Sequence, residues 1–196
     1  LSLGEVRRLL AAVPSTRDQL LLGLMYGCGL KVGEVCQLTW ADVNIAQNVL
    51  RVRYARGTRV RMLDIPPDLL PVLKLGHTRC PGDDTIFQGR MAGTSLSTRM
   101  AQLIVRKAAK DADILKTVTC MTLRHSFAVH CIEHGDSIRA LQEALGHKSI
   151  DTTLAYEACI LPEGVESPLG LLPGRRDPNS TPADPSIETR GAPHPA

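Results

Sequence analysis

Residues 118–130 read V-T-C-M-T-L-R-H-S-F-A-V-H, and residues 141–156 read L-Q-E-A-L-G-H-K-S-I-D-T-T-L-A-Y. The spacing predicts two or three short helices. Thr119 is placed to cap the first, and Leu123, Phe127 and Cys131 recur every fourth residue as its apolar face. Gly135 and Asp136 break that helix. Ile138, Leu141 and Leu145 form the inner face of the next, which Gly146 ends. Ser149 can cap a third helix with Asp151 in its first turn, where the dipole favours a negative charge. Tyr156 falls about two turns into that helix. The arrangement turns Arg124, His147 and Tyr156 towards one place.

These residues resemble the catalytic box of the tyrosine recombinases, the phage-integrase and integron-integrase superfamily. That family carries a motif close to H-x-L-R-H-S-F-A, then L-G-H, then a nucleophilic tyrosine. The matching stretches are Met121 to Ala128, Leu145-Gly146-His147 and Tyr156. Upstream, Gly29-Leu30-Lys31-Val32-Gly33-Glu34-Val35 is similar to the family's G-L-R-x-S-E-L, with Lys31 where the family has arginine. The resemblance runs from about Leu1 to Leu161. It implies a mainly helical domain with a small antiparallel sheet (α+β), the DNA breaking-rejoining fold. It also implies an N-terminal DNA-clamp domain, and this chain begins at what would be the catalytic domain's first helix.

Working outward, Ser2 to Glu5 form a capping-box pattern, with Val6, Leu9, Leu10 and Val13 as the buried stripe. Leu20 to Met25 is apolar nearly all round, so its helix belongs at the centre, interrupted by Gly27 and Gly29. Leu50, Val52 and Tyr54 alternate with Arg51 and Arg53, the pattern of a half-buried strand, and Arg59 to Ile65 returns as its partner. Arg51, Arg53, Arg56, Arg59 and Arg61 then make an arginine-rich hairpin, which is either a solvated face or a contact for a polyanion. Pro66-Pro67 leads into a helix burying Leu69, Leu70, Val72 and Leu73. Ile86-Phe87 is a candidate third strand. Ser95 to Asp113 reads as a long helix with Leu103, Ile104 and Ala108 inward, and Arg99, Arg106, Lys107 and Lys110 available to phosphates.

The net charge is +3, but residues 162–196 hold three arginines against five acids, leaving +5 on residues 1–161. A basic body suits double-stranded DNA. Eight of the thirteen prolines also lie in 162–196, which reads as a disordered tail; Leu169, Leu171 and Leu172 could dock on this or a neighbouring protomer. With 3% aromatic residues, aliphatic side chains must fill the core. No apolar run approaches the ~20 residues of a membrane span. None of the six cysteines forms a C-x-x-C pair, so a cytoplasmic protein with reduced thiols is expected.

Cutting a DNA strand without a metal or cofactor requires a nucleophile, cationic donors on the non-bridging oxygens, an acid for the leaving oxygen and a base. A tyrosine nucleophile stores the bond as a 3′-phosphotyrosyl link, so rejoining needs no nucleotide. By the resemblance, Lys31, Arg56, Met121, Arg124, His147 and Tyr156 occupy the family's Arg, Lys, His, Arg, His and Tyr positions. Arg124, His147 and Tyr156 match. Lys31 keeps the charge without the planar fork. Arg56, at the hairpin tip, is a poor proton donor with a pKa above about 12. Met121 loses its donor. One missing donor costs about 10² to 10³ in rate, so impaired cleavage is expected. The alternative is an inactive homologue that binds DNA or other recombinase protomers. Two other chemistries compete. His130 and His134 share a helix face but lack the H-E-x-x-H order of a zinc site, and Ser126 has no G-x-S-x-G elbow.

Overall fold

Leu20, Leu21, Leu22, Leu24 and Met25 leave their helix without a polar face, so it requires neighbours on every side. In the computed structural model it has them. Residues 1–53, 60–79 (79 by backbone only), 84–91 and 93–160 are described. The central helix α2 (Thr16–Gly27) is capped by Ser15, whose hydroxyl accepts from the Asp18 amide. Before it lies α1 (Leu3–Ala11), with the Ser2–Glu5 capping box formed in both directions. After it come a left-handed turn at Gly29 (φ 59°) and the short helix α3 (Val32–Cys36). All five apolar residues from Leu20 to Met25 are buried, and the core they centre is almost wholly aliphatic.

The sheet has three antiparallel strands in sequence order: β1 (Val43–Asn44), β2 (Val49–Arg53) and β3 (Val60–Asp64). Its third member is therefore Val43–Asn44 and not Ile86-Phe87. That segment is tied down separately: the Ile86 amide donates to the Leu38 carbonyl, and Leu96 donates to Phe87. Both of its side chains enter the core. The tip of the hairpin, with Tyr54, Arg56 and Arg59, lies outside the described residues.

Helix α4 (Leu70–Arg79) buries Leu73 fully, while Leu69, Leu70 and Val72 are half-covered. Helix α5 (Thr98–Asp111) starts later than the expected Ser95 because Ser97 caps it, and stops short of Asp113, whose φ of 51° is left-handed. It packs through Ala101, Val105, Ala108 and Ala109. Leu103, expected inward, is half-exposed, since the buried stripe of small residues lies on another face. Then follow α6 (Cys120–Glu133), α7 (Ile138–Leu145) and α8 (Asp151–Leu154). A satellite cluster of Ala128, Leu141, Leu145 and Tyr156, flanked by Phe127, Val129 and Ile132, joins α6 to α7 and the segment after α8. No described helix is long and apolar enough to cross a membrane.

Candidate active site

Thr119 caps α6 by accepting from the Thr122 amide, which fixes the helix start and places Arg124 on the second turn. Arg124 points inward and is only 2% exposed. Its guanidinium donates to the Gly29 carbonyl (2.6 Å) and to the Leu145 carbonyl (2.7 Å). Burial lowers its pKa; the Glu34 charge raises it and the Arg61 charge lowers it further.

Gly146 ends α7 in a left-handed conformation (φ 68°), as glycine permits at a helix C-terminus. That turn brings His147 back beside α7, where its amide donates to Gln142 O. The ring's Nε2 lies 3.0 Å from Arg124 Nη2 and its Nδ1 lies 2.9 Å from Thr153 Oγ1. Burial pushes the imidazole pKa down to about 4, with the Arg124, Lys31 and Arg61 charges acting in the same direction. The ring is neutral at pH 7.

Tyr156 stacks on His147, with ring planes 14° apart and centroids at 6.2 Å, and tilts against His125 at 5.3 Å. It is 8% exposed. Burial raises the phenol pKa, and the Arg124 charge pulls it back. Tyr156 does not sit two turns into a helix: α8 ends at Leu154, and Tyr156 opens a tight 3-10 turn over Glu157–Cys159. Ser149 accepts from the Asp151 amide, but it does not cap α8: Ile150 holds the N-cap position, without a side-chain cap bond, and the helix is only four residues long.

Lys31 and Met121 face Arg124 across a cleft of about 400 Å³ that Gln102 and Arg106 of α5 also line. Lys31 precedes α3, and its pKa is lowered by partial burial and by the Arg124 charge. Met121 is 51% exposed there, an apolar group at the mouth of a cationic cleft. Arg124, His147 and Tyr156 are thus contiguous, and Arg124 is the member of the three that also lines the cleft with Lys31 and Met121.

The basic residues outside this group separate by face. The β2–β3 register pairs Val52 with Arg61 and Arg51 with Met62, so Arg51 and Arg53 share the outer face while Arg61 is on the inner one. Arg61, expected at a DNA surface, is buried. It forks onto Glu34 with two bonds (2.9 and 2.8 Å) and donates through Nε to the Ala144 carbonyl. Arg51 and Arg53 both reach Asp42 Oδ1, at 3.3 and 3.2 Å. Arg99, Arg106, Lys107 and Lys110 are exposed on α5, with Lys107 paired to Asp111.

The competing chemistries find little support among the described residues. His130 Nδ1 is bonded to Tyr26 Oη at 2.9 Å, while His134 stands in solvent near Asp136. Ser126 Oγ donates to the Thr122 carbonyl within its own helix. Two functional neighbours escaped the sequence reading. Glu34 sits in the G-L-K-V-G-E motif, and its alternation with the helix stripe could have marked it as buried. Thr153 precedes Tyr156 by less than one turn, and nothing in a lone threonine announces a partner.

The phage integrase family model matches residues 1–159. The chain is 37% identical over 158 residues to tyrosine recombinase XerA of Thermococcus onnurineus, covering 78% of this chain and 55% of that protein. It is 34% identical over 154 residues to tyrosine recombinase XerD of Staphylococcus saprophyticus, covering 75% and 52%. The chain spans about half the length of the curated relatives it matches. Its fold superposes on the crystal structure of XerA recombinase with a TM-score of 0.71 at 29% identity, over 80% of this chain and 58% of that one. The fold is likewise that of XerH recombinase, solved with its difH substrate (TM-score 0.69, 21% identity, 80% and 49% covered). On a match that takes in nearly all the described residues, the chain belongs to the phage integrase family and has the fold of a tyrosine-recombinase catalytic domain.

Proposed function

We propose that this chain carries the strand-cleaving and rejoining chemistry of a site-specific DNA recombinase, in a weakened form. The observation that carries the reading is the contiguity of Arg124, His147 and Tyr156: a guanidinium 3.0 Å from an imidazole that stacks on a phenol. Tyr156 is the nucleophile, attacking phosphorus and leaving a 3′-phosphotyrosyl link and a free 5′-hydroxyl. Arg124 and Lys31 hold the non-bridging oxygens as negative charge builds on them. His147 donates to one of those oxygens, and Arg56 takes the position of the acid for the leaving oxygen. Met121 offers no donor where one is called for, and its exposure at the cleft supports the reading of reduced rate.

Double-stranded DNA is the partner, approached through Arg51, Arg53, Arg56 and Arg59 of the hairpin and through Arg99, Arg106, Lys107 and Lys110 of α5. Residues 1–161 form the catalytic-type domain and residues 162–196 a proline-rich tail that offers a contact to other protomers. A DNA-acting protein of this kind works in the cytoplasm. The exposed Met121 equally favours a second reading, an inactive homologue that binds DNA or recombinase protomers.

The test is covalent trapping on a nicked duplex, after DNA binding is shown. Little product is expected from the native sequence. The triple replacement Lys31→Arg, Arg56→Lys and Met121→His should raise it cooperatively, because each single repair leaves two defects in one transition state. Tyr156→Phe should abolish it. Efficient trapping by the native chain would refute the impairment. Failure of the triply repaired protein to trap bound DNA would favour the second reading.

A further inference from the structure

Thr153 is 0% exposed and makes one side-chain contact of consequence, the 2.9 Å bond to His147 Nδ1. The other ring nitrogen faces Arg124 at 3.0 Å. A guanidinium only donates, so Nε2 must be the acceptor there and the ring proton must sit on Nδ1. Thr153 Oγ1 is then the acceptor of that proton. In this state His147 has nothing to give a phosphate: its Nε2 lone pair is already engaged by Arg124.

One route to a donor is protonation of the ring. The groups facing it oppose that: Arg124 and His125 from α6, Lys31 before α3 and Arg61 from β3. Tyr156, from the turn after α8, contributes a neutral phenol against its face. The other route keeps the ring neutral and moves the proton to Nε2. It requires a partner for Nδ1 that can donate as well as accept. A carbonyl or carboxylate cannot do both; a hydroxyl can.

We infer that Thr153 is a positioning residue that lets His147 exchange tautomers when a phosphodiester enters the cleft, turning Nε2 from an acceptor of the Arg124 proton into a donor to a phosphate oxygen. The exchange balances: Nε2 takes one proton from solvent, Nδ1 returns one, and the ring carries no net charge before or after. The Thr153 hydroxyl rotates so that its hydrogen, in place of its lone pair, faces Nδ1. The Arg124 Nη2, which would otherwise face a second donor at 3.0 Å, turns away from Nε2 to let the phosphate oxygen in. Arg124, released from Nε2, gains an N–H for the same phosphate.

For its DNA-bound half this inference rests on the strand-transfer reading, but its free-protein half does not. The experiment is long-range 1H–15N correlation on the full chain with 15N-labelled histidine at pH 7.5, alone and with a nicked duplex. Alone, Nδ1 of His147 should be the protonated nitrogen; with DNA, the two nitrogens should exchange roles with the ring still neutral. Thr153→Val keeps the shape, loses the hydroxyl, and should keep the Nδ1–H tautomer that Arg124 imposes in the free protein but fail to exchange when the duplex binds. Thr153→Ser should restore the native pattern. An Nε2–H tautomer in the free protein, an imidazolium in the complex, or a Thr153→Val protein indistinguishable from the native one would each overturn the inference. A duplex that does not bind sinks the DNA reading and the exchange with it, while the free spectrum still decides whether the Nδ1 proton faces Thr153.

Discussion

Glu34→Gln should be among the most damaging isosteric changes outside the Arg124 cluster. Glu34 and Arg61 are both buried and joined by two short bonds, and Glu34 also accepts from the Lys31 amide at 2.9 Å. Burial by itself would raise the Glu34 pKa; the Arg61 fork, the Lys31 amide and the nearby charges outweigh it and hold the carboxyl below its usual value. The change to glutamine preserves volume but removes the carboxylate charge that the buried Arg61 fork grips. Breaking such a pair from one side costs about 3 to 5 kcal/mol. Arg61 keeps the Ala144 carbonyl, so the lower end, about 3 kcal/mol, is expected. With a urea slope near 2 kcal/mol/M for a domain of this size, the midpoint should fall by about 1.5 M. The reasoning also fixes the sign of a cycle. Replacing both partners with apolar residues of similar volume (Glu34→Leu with Arg61→Met) should cost much less than the sum of the single changes Glu34→Leu and Arg61→Met, because the two charges leave the interior together. Urea titrations of the native chain, Glu34→Gln, Glu34→Leu, Arg61→Met and the double variant decide it. A Glu34→Gln loss below about 1 kcal/mol, the range of an exposed pair, or additive single costs, would refute the argument.

Gly29→Ala should cost about 3 kcal/mol, combining a left-handed φ of 59° with a Cβ only 2.5 Å from Phe127, and thermal unfolding should show it. The pH dependence of stability has a defined sign at His147. The unfolded ring takes a proton below about 6.5, while the folded ring resists until about 4, so stability should decline as pH falls through that window and be level above it. His125, whose pKa is lowered by burial and by Arg124, adds to the same decline. His147→Gln should make the urea midpoint less sensitive to pH between 7 and 4.5; an unchanged slope would remove His147 as its source. For the DNA surface, Arg51→Glu with Arg53→Glu should flatten the dependence of log K on log salt by up to about 2 units, at about 0.9 per lost phosphate contact. Fluorescence anisotropy at several salt concentrations measures it, and an unaltered slope would exclude these arginines from the interface.

The helices were legible where local chemistry decides them. Ser2, Thr119 and Gly146 each act within a few residues of their position, and their roles follow from cap and turn preferences alone. The spacing of Arg124, His147 and Tyr156 likewise put three side chains together that the structure holds within one ring-stack and one hydrogen bond. What was not legible depends on register and on distant partners. The hairpin looked like one arginine-rich face because sequence spacing ignores the cross-strand offset; the pairing of Arg53 with Val60 sends Arg61 to the opposite side. Glu34, which receives it, lies far upstream. Leu103 was assigned inward on size, whereas α5 lies close through alanines that a hydrophobicity pattern underweights. Helix α8, which ends before Tyr156, is too short for any periodicity to show where it stops.

The carbonyl grip on Arg124 has a consequence for how the site comes and goes. One carbonyl belongs to Gly29, at the end of the α2 segment, and the other to Leu145, at the end of α7. The guanidinium is therefore a tie between two stretches that meet only in the finished domain. A peptide holding the α6–α8 box would contain all three matched residues and still lack half of the support that aims the arginine. Local opening of either stretch frees the side chain and dissolves the phosphate seat with it. Hydrogen exchange should accordingly find the amides around residues 28–30 and 145–147 opening as one cooperative unit with the middle of α6, at a free energy close to that of global unfolding. The geometry around Arg124 and foldedness are then a single equilibrium, and a destabilised variant loses that geometry only in the fraction of molecules that unfold.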